Sequence, residues 1–145
     1  RVELARLVRR AVELEVAYGA IQVWDESCKV KLAENLDQQE TALANINLAT
    51  FHALDYDFHR LIYTLGGNPM SFEVMRECKQ KVDRLCMLGL EQESNARSIF
   101  ADHCEIAKGL ASGDLELAQR SIRKHLSRLD ETIEYIHKSH PCYFE

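Results

Sequence analysis

The 145-residue chain has only two prolines and six glycines. So few breakers argue against a fold of many turns and predict long uninterrupted elements. No Cys-x-x-Cys spacing occurs; the five cysteines, Cys28, Cys78, Cys86, Cys104 and Cys142, are scattered and odd in number. They read as reduced thiols in a cytosolic protein. No apolar run approaches the ~20 residues that span a bilayer, and no signal peptide opens the chain, so no membrane partner is expected. An excess of positive charge is lacking too. The formal net charge is -5, which argues against this region gripping nucleic acid by itself. A starting Met is also missing, and Arg1 already stands in helical pattern, so a fragment of a longer protein is expected.

What is present suits one domain with a sizeable core: 46% of the residues are hydrophobic and 28% charged. Apolar periodicity predicts six helices and no strands, an all-α single antiparallel bundle over residues 1–145. The first helix, Val2 to about Gln22, turns Leu4, Leu7, Val8, Ala11, Leu14 and Tyr18 inward, with Arg9 and Arg10 beside that face as solvated charges. A second, about Glu26 to Asn45, has the sparser stripe Cys28, Leu32, Leu36, Leu43 and Ile46, and its run Glu34 to Thr41 faces water. Asn47 or Thr50 caps the third, which stops at Gly66-Gly67. Asn68-Pro69 restarts the chain as N-cap and first helical residue.

The fourth helix, to about Leu90, carries two apolar stripes: Phe72, Met75, Val82, Cys86 and Val74, Cys78, Leu85, Leu88. A helix apolar on two sides is enclosed or meets a second subunit, and a homodimer is expected. Ser94 caps a fifth helix that reaches Ala111, and Ser112-Gly113-Asp114 turns into the sixth. From His137 to Glu145 a fraying tail is expected.

Four residues interrupt these stripes. On the third helix Phe51, Leu54, Phe58, Ile62 and Leu65 form one buried face, and Asp55 falls inside it. A buried carboxylate is costly unless something pairs with it. His59 stands one turn on, so the two side chains project together. On the fifth helix a core position holds His103, between Ile99 and Ile106; on the sixth, His125 stands between Ile122 and Leu129. The tight turn folds these two helices into an antiparallel hairpin. At ~1.5 Å per residue both histidines lie roughly 15–18 Å from the turn, so they come level. Three imidazoles and a carboxylate meeting in one interior are better explained by a divalent metal than by four unrelated polar interruptions. With no thiolate, the set fits zinc, nickel, manganese, iron or cobalt alike. His52 is the reserve ligand, Cys104 points about 100° away from His103, and His137 and His140 are expected in solvent.

Asp-x-x-Phe-His on one helix, a mid-helix His on the next to last, then Gly-Asp-x-x-x-Ala and His-Leu on the last resemble the FCD domain. That is the effector-binding and dimerisation domain of GntR-family bacterial transcription regulators. The matching residues are Asp55, Phe58, His59, Asn68, His103, Gly113, Asp114, Ala118, His125 and Leu126, and Arg9 to Glu13 resemble the family's Arg-x-x-Leu-Glu segment. Six helices rather than seven resemble the VanR-type branch. The resemblance implies a metal held by Asp55, His59, His103 and His125 beneath an internal cavity. It implies a small carboxylate effector there, held by Arg9, by Lys81 or Arg84, and by Asn68. It also implies a DNA-reading winged helix-turn-helix, which nothing in this sequence matches, so DNA is a partner only through that missing domain.

Two other readings differ in chemistry. A zinc-type hydrolase would use the same four ligands to activate water. It lacks an inward general base, since Asp102 and Asp57 lie off their stripes, and it lacks a glycine-rich lid. A purely structural helical module would use the histidines as core hydrogen bonders and hold no metal.

Overall fold

A computed structural model of the chain describes residues 2–87 and 92–144. Six α-helices follow one another: α1 (Val2–Gln22), α2 (Glu26–Ala44), α3 (Leu48–Leu65), α4 (Pro69–Met87), α5 (Gln92–Ser112) and α6 (Leu115–Ser139). A 3-10 turn, Pro141–Phe144, ends the described chain, so α6 continues through His137 instead of fraying there. The fold is all-α. Among the described residues, no helix is long and apolar enough to cross a membrane.

The caps are largely those the sequence dictates. Side-chain oxygens of Asp25, Asn47 and Asp114 accept from backbone N–H groups three residues on, at the starts of α2, α3 and α6. Asn68 does the same for α4 through the Ser71 N–H. Ser94, by contrast, lies inside α5, which is already helical at Gln92.

α5 packs chiefly on α6, α2 on α3, and α1 on α4, α6 and α3. Close approaches fix the register. A Cβ on Gly109 of α5 would come within 2.5 Å of the Ala118 backbone nitrogen of α6, so only glycine lets these helices touch there. His103 lies six residues before this contact and His125 seven after it, which brings them level. A Cβ on Gly66 would come within 2.7 Å of the Val16 carbonyl, so α1 lies hard against the end of α3. That contact places Glu13, one turn before Val16, beside His59.

The main core runs through all six helices, from Val16, Ala17 and Ala20 to Phe58, Ile62, Tyr63, Phe72, Met75, Ile106, Leu110, Ile122 and Leu129. A smaller cluster of Ala42, Leu43, Phe51 and Ala96 closes the α2–α3–α5 end.

α1 is rotated from the expected face. Leu4, Leu7 and Tyr18 are 59%, 62% and 46% exposed, whereas Ala5, Arg9, Glu13, Val16, Ala17 and Ala20 are buried. The helix turns a charged pair inward and leaves an apolar stripe outside. On α2, Ile46 is exposed beyond the helix, with φ 51°. The run Glu34 to Thr41 is not all water-facing, since Asn35 and Gln39 are buried. On α4, Phe72 and Met75 are core, Val74 is 66% exposed and Cys78 is half-buried against the core. The side chains of Val82, Leu85, Cys86 and Leu88, which complete the two expected stripes, lie outside the described residues.

Candidate metal and effector site

α3, α5 and α6 bring His59, His103 and His125 together. One ring nitrogen from each lies within 4.8 Å of the others, and all three side chains are buried. Asp55 joins them from α3: its Oδ1 is 3.3 Å from His59 Nε2 and 3.1 Å from His103 Nε2.

The outer edge of each ring faces a side-chain oxygen. His103 Nδ1 lies 2.9 Å from Gln39 Oε1, and His125 Nδ1 lies 3.1 Å from Asp102 Oδ2. His59 Nδ1 lies against Glu13 Oε1. Gln39 Oε1 and Asp102 Oδ2 are acceptors, so on His103 and His125 Nδ1 carries the proton and Nε2 keeps its lone pair. The inner edges are the reverse. His59 Nε2, His103 Nε2, His125 Nε2 and Asp55 Oδ1 are all buried without a hydrogen-bond partner of acceptable geometry, as are His59 Nδ1 and Glu13 Oε1 on the outer side of that ring. Lone pairs turned on one point from three rings and a carboxylate are a donor set for a cation, and acceptors on the far ring nitrogens are what metal-ligating histidines use to fix their tautomer. The residues fit a divalent ion.

Further contacts hold that frame. Gln39 Nε2 donates to Asn35 Oδ1 at 2.6 Å, and Asn35 Nδ2 donates to the Leu54 carbonyl at 3.1 Å. His103 is thereby tied through α2 back to α3. Arg128 donates to both oxygens of Asp102, at 2.9 and 3.2 Å. Lys79 Nζ reaches Asp55 Oδ2 at 2.5 Å and Asp83 Oδ2 at 3.0 Å, and lies 4.6 Å from the centre of the Tyr56 ring.

Electrostatics follow from this wiring. Burial pushes His103 down to about 3 and His125 below its ordinary value, so both rings are neutral at pH 7. For His59 burial also opposes charge, but Glu13 and then Asp55 outweigh it and raise its pKa. Burial would lift Asp55; the Lys79 ammonium first, with the adjacent His103 and His59 rings behind it, holds it well below the usual carboxylate range. Glu13 is likewise kept ionised against burial, by His59 and Arg9.

Of the effector contacts expected from sequence, Arg9 is brought to this cluster. It is 3% exposed, its Nε donates to Glu13 Oε2 at 3.2 Å, and both terminal nitrogens are buried without a partner. Lys81 and Arg84 are exposed. They stand roughly 160° and 140° around α4 from the inward Lys79, so they point away from the donors. Asn68 is exposed and spent on capping α4. The structure does not bring these three positions to the cluster. His52 is half-buried against Phe51, outside the three grouped rings. A groove of about 360 Å³ between α2 and α3, lined by Lys31, Asn35, Asp57 and Arg60 among others, contains none of the donors. The groove therefore lies apart from the donor set.

Gln39 and Lys79 were not singled out by the sequence; Asp102 stands out there only as a general base off its stripe, and Glu13 only as the end of the Arg9–Glu13 segment. Asp102 does lie inward, as does Glu13, contrary to expectation for the hydrolase reading. Each is engaged at the outer edge of a ring, on the side away from the Nε2 atoms, where it is not placed to take a proton from anything bound among them.

The family model for the FCD domain matches residues 5–128. The chain belongs to the FCD family. Over 144 residues it is 26% identical to the HTH-type transcriptional repressor RspR of Escherichia coli K12, covering 99% of this chain and 63% of that protein. It is 30% identical to an HTH-type transcriptional regulator in an unstable DNA locus of Streptomyces ambofaciens, covering 99% of this chain and 60% of that protein. The chain thus spans less than two thirds of either relative. All three histidines of the cluster lie within the matched residues.

Proposed function

We propose that this FCD domain is the metal-dependent sensing domain of a transcription regulator, and that its effector is a small carboxylate. The observation that carries the reading is the opposed wiring of the three imidazoles. Nδ1 of His103 and of His125 is hydrogen-bonded outward to Gln39 and Asp102, His59 Nδ1 faces the Glu13 carboxylate, and the three Nε2 atoms with Asp55 Oδ1 are buried without partners. His59, His103, His125 and Asp55 are the ligands. A divalent ion there supplies positive charge that draws an anion into the interior. Arg9 supplies the directional contact, because its two unpartnered terminal nitrogens present the fork that a carboxylate accepts bidentately.

In the intact regulator an attached N-terminal winged helix-turn-helix reads DNA in the cytoplasm. Effector binding shifts the population of arrangements that hold two such heads at operator spacing. That role calls for a homodimer. Leu4, Leu7 and Tyr18 on α1, with Val74 on α4, support it as apolar surface left exposed on the isolated chain.

A thermal-shift screen of organic acids on metal-loaded and metal-stripped protein tests the reading. Carboxylates should stabilise only the loaded protein, and Arg9→Gln should abolish the response while leaving metal content intact. Equal hits without metal, or hits dominated by neutral or cationic compounds, would sink it.

A further inference from the structure

We propose that Lys79 and Asp83 on α4 set the charge this site accepts, tuning it to a ligand with one negative charge. The ligand class is then a monocarboxylate, in preference to a di- or tricarboxylate. The inference rests on the metal and carboxylate reading above and adds to it the residues that choose between acids.

Lys79 would be an obvious second hand for a dicarboxylate, and it is not free to act as one. Its ammonium is held by Asp55 Oδ2 and Asp83 Oδ2 and lies over the Tyr56 ring. Taking Lys79 for a ligand would strand two carboxylates, one of them fully enclosed. Lys81 and Arg84 are exposed and face away, and Arg128 is committed to Asp102. Among the described residues, that leaves Arg9 as the cation at the cluster with donors to spare. One guanidinium fork takes one carboxylate.

The charge count agrees. Around the donors, Arg9 and Lys79 are opposed by Glu13, Asp55 and Asp83, an excess of one negative charge; Asp102 and Arg128 cancel. A divalent ion on neutral imidazoles converts this to an excess of one positive charge. A single carboxylate brings the buried site to neutrality. A second one would be buried without a counter-charge, which a low-dielectric interior penalises steeply.

Matched acids and monoamides test this with shape held nearly constant. Titration calorimetry on the zinc-loaded chain would compare malonate, succinate and glutarate with malonamate, succinamate and glutaramate. The monoamide should bind the tighter in the pair that fits, by about tenfold. Asp83→Asn adds one positive charge at the edge of the site without removing the Lys79–Asp55 contact, and should move the preference about tenfold toward the diacid. Lys79→Gln removes one and should weaken both, but it risks the fold, so the Asp83 variant decides. Diacids bound as tightly as their monoamides, or an unchanged preference in Asp83→Asn, would overturn the charge assignment with the metal reading intact. Failure of the chain to take up zinc, or no heat from any of the six compounds, would overturn it together with the reading beneath it.

Discussion

On the α4 side of the histidine cluster, the ammonium of Lys79 meets two carboxylates and an aromatic face. On the α1 side, the guanidinium of Arg9 spends Nε on Glu13 and leaves both terminal nitrogens buried and unpartnered. Both cations are almost wholly buried beside the same donors. The first is a closed contact that holds Asp55 in place. The second is an open one, which an interior tolerates at a cost of about 1–3 kcal/mol per unsatisfied group unless something arrives to satisfy it. Equal burial therefore does not mean equal role; on the proposed reading, the count of engaged donors separates the cation that builds the site from the one that serves it.

Substituting each cation should break the symmetry most sharply. Lys79→Met strands Asp55 among the rings and should cost about 3–5 kcal/mol in metal-free protein by urea unfolding. Arg9→Met should cost less, since Glu13 keeps His59 and two unsatisfied nitrogens disappear. Equal losses would mean that Arg9 is as much a structural pair as Lys79. Next in size is the outer shell. Gln39→Ala removes the acceptor for His103 Nδ1 and should lower metal affinity about 10–100-fold with the helices retained. Unchanged affinity by competition with a chromophoric chelator would show that Gln39 does not orient the ring.

The smallest effect is on pH. Glu13, Asp55 and Asp102 have depressed folded pKa values. Their stabilisation is complete above the unfolded carboxylate pKa of about 4 and is lost as pH falls through the folded values. His103 and His125 are also depressed, so below about 6.5 the unfolded chain takes up protons that these rings refuse. His59 is raised; its contribution is full below about 6.5 and fades as pH rises through its folded value. Below 6.5 His59 is protonated in both states and adds no slope, so metal-free protein should lose about 1.4 kcal/mol per pH unit for each proton that His103 and His125 refuse. Chemical denaturation at pH 7, 6 and 5 measures it, and stability that rises toward pH 5 would reverse the assignment of which rings are neutral.

The fold was legible because apolar periodicity, caps and Gly/Pro punctuation all point to the same six helices. Asp55, His59, His103 and His125 were legible for a sharper reason: each is a polar residue at a position its own stripe reserves for a hydrophobe. Lys79 obeys the same rule, standing between Met75 and Val82 in the stripe from Phe72, and Asp102 stands three residues after Ile99 and four before Ile106. Both could have been found. Glu13 and Arg9 could not be found from apolar pattern alone, because the more apolar face of α1, with Leu4, Leu7 and Tyr18, is the one left outside. Gln39 was hidden in a run of polar residues of which only Asn35 and Gln39, one turn apart, face inward. A buried polar side chain whose partner sits on a distant helix leaves no periodic trace of its own.

The most direct measurement is the metal content of the chain purified without an affinity tag, beside that of the His103→Ala, His125→Ala double variant. About one divalent ion per chain in the unmodified protein and none in the variant is the expected result, with a lower unfolding temperature in the variant because a ligand of the native state is lost. Full metal occupancy in the double variant, or an unmodified chain that takes up no divalent ion when supplied with zinc, nickel, manganese, iron or cobalt, would contradict the assignment.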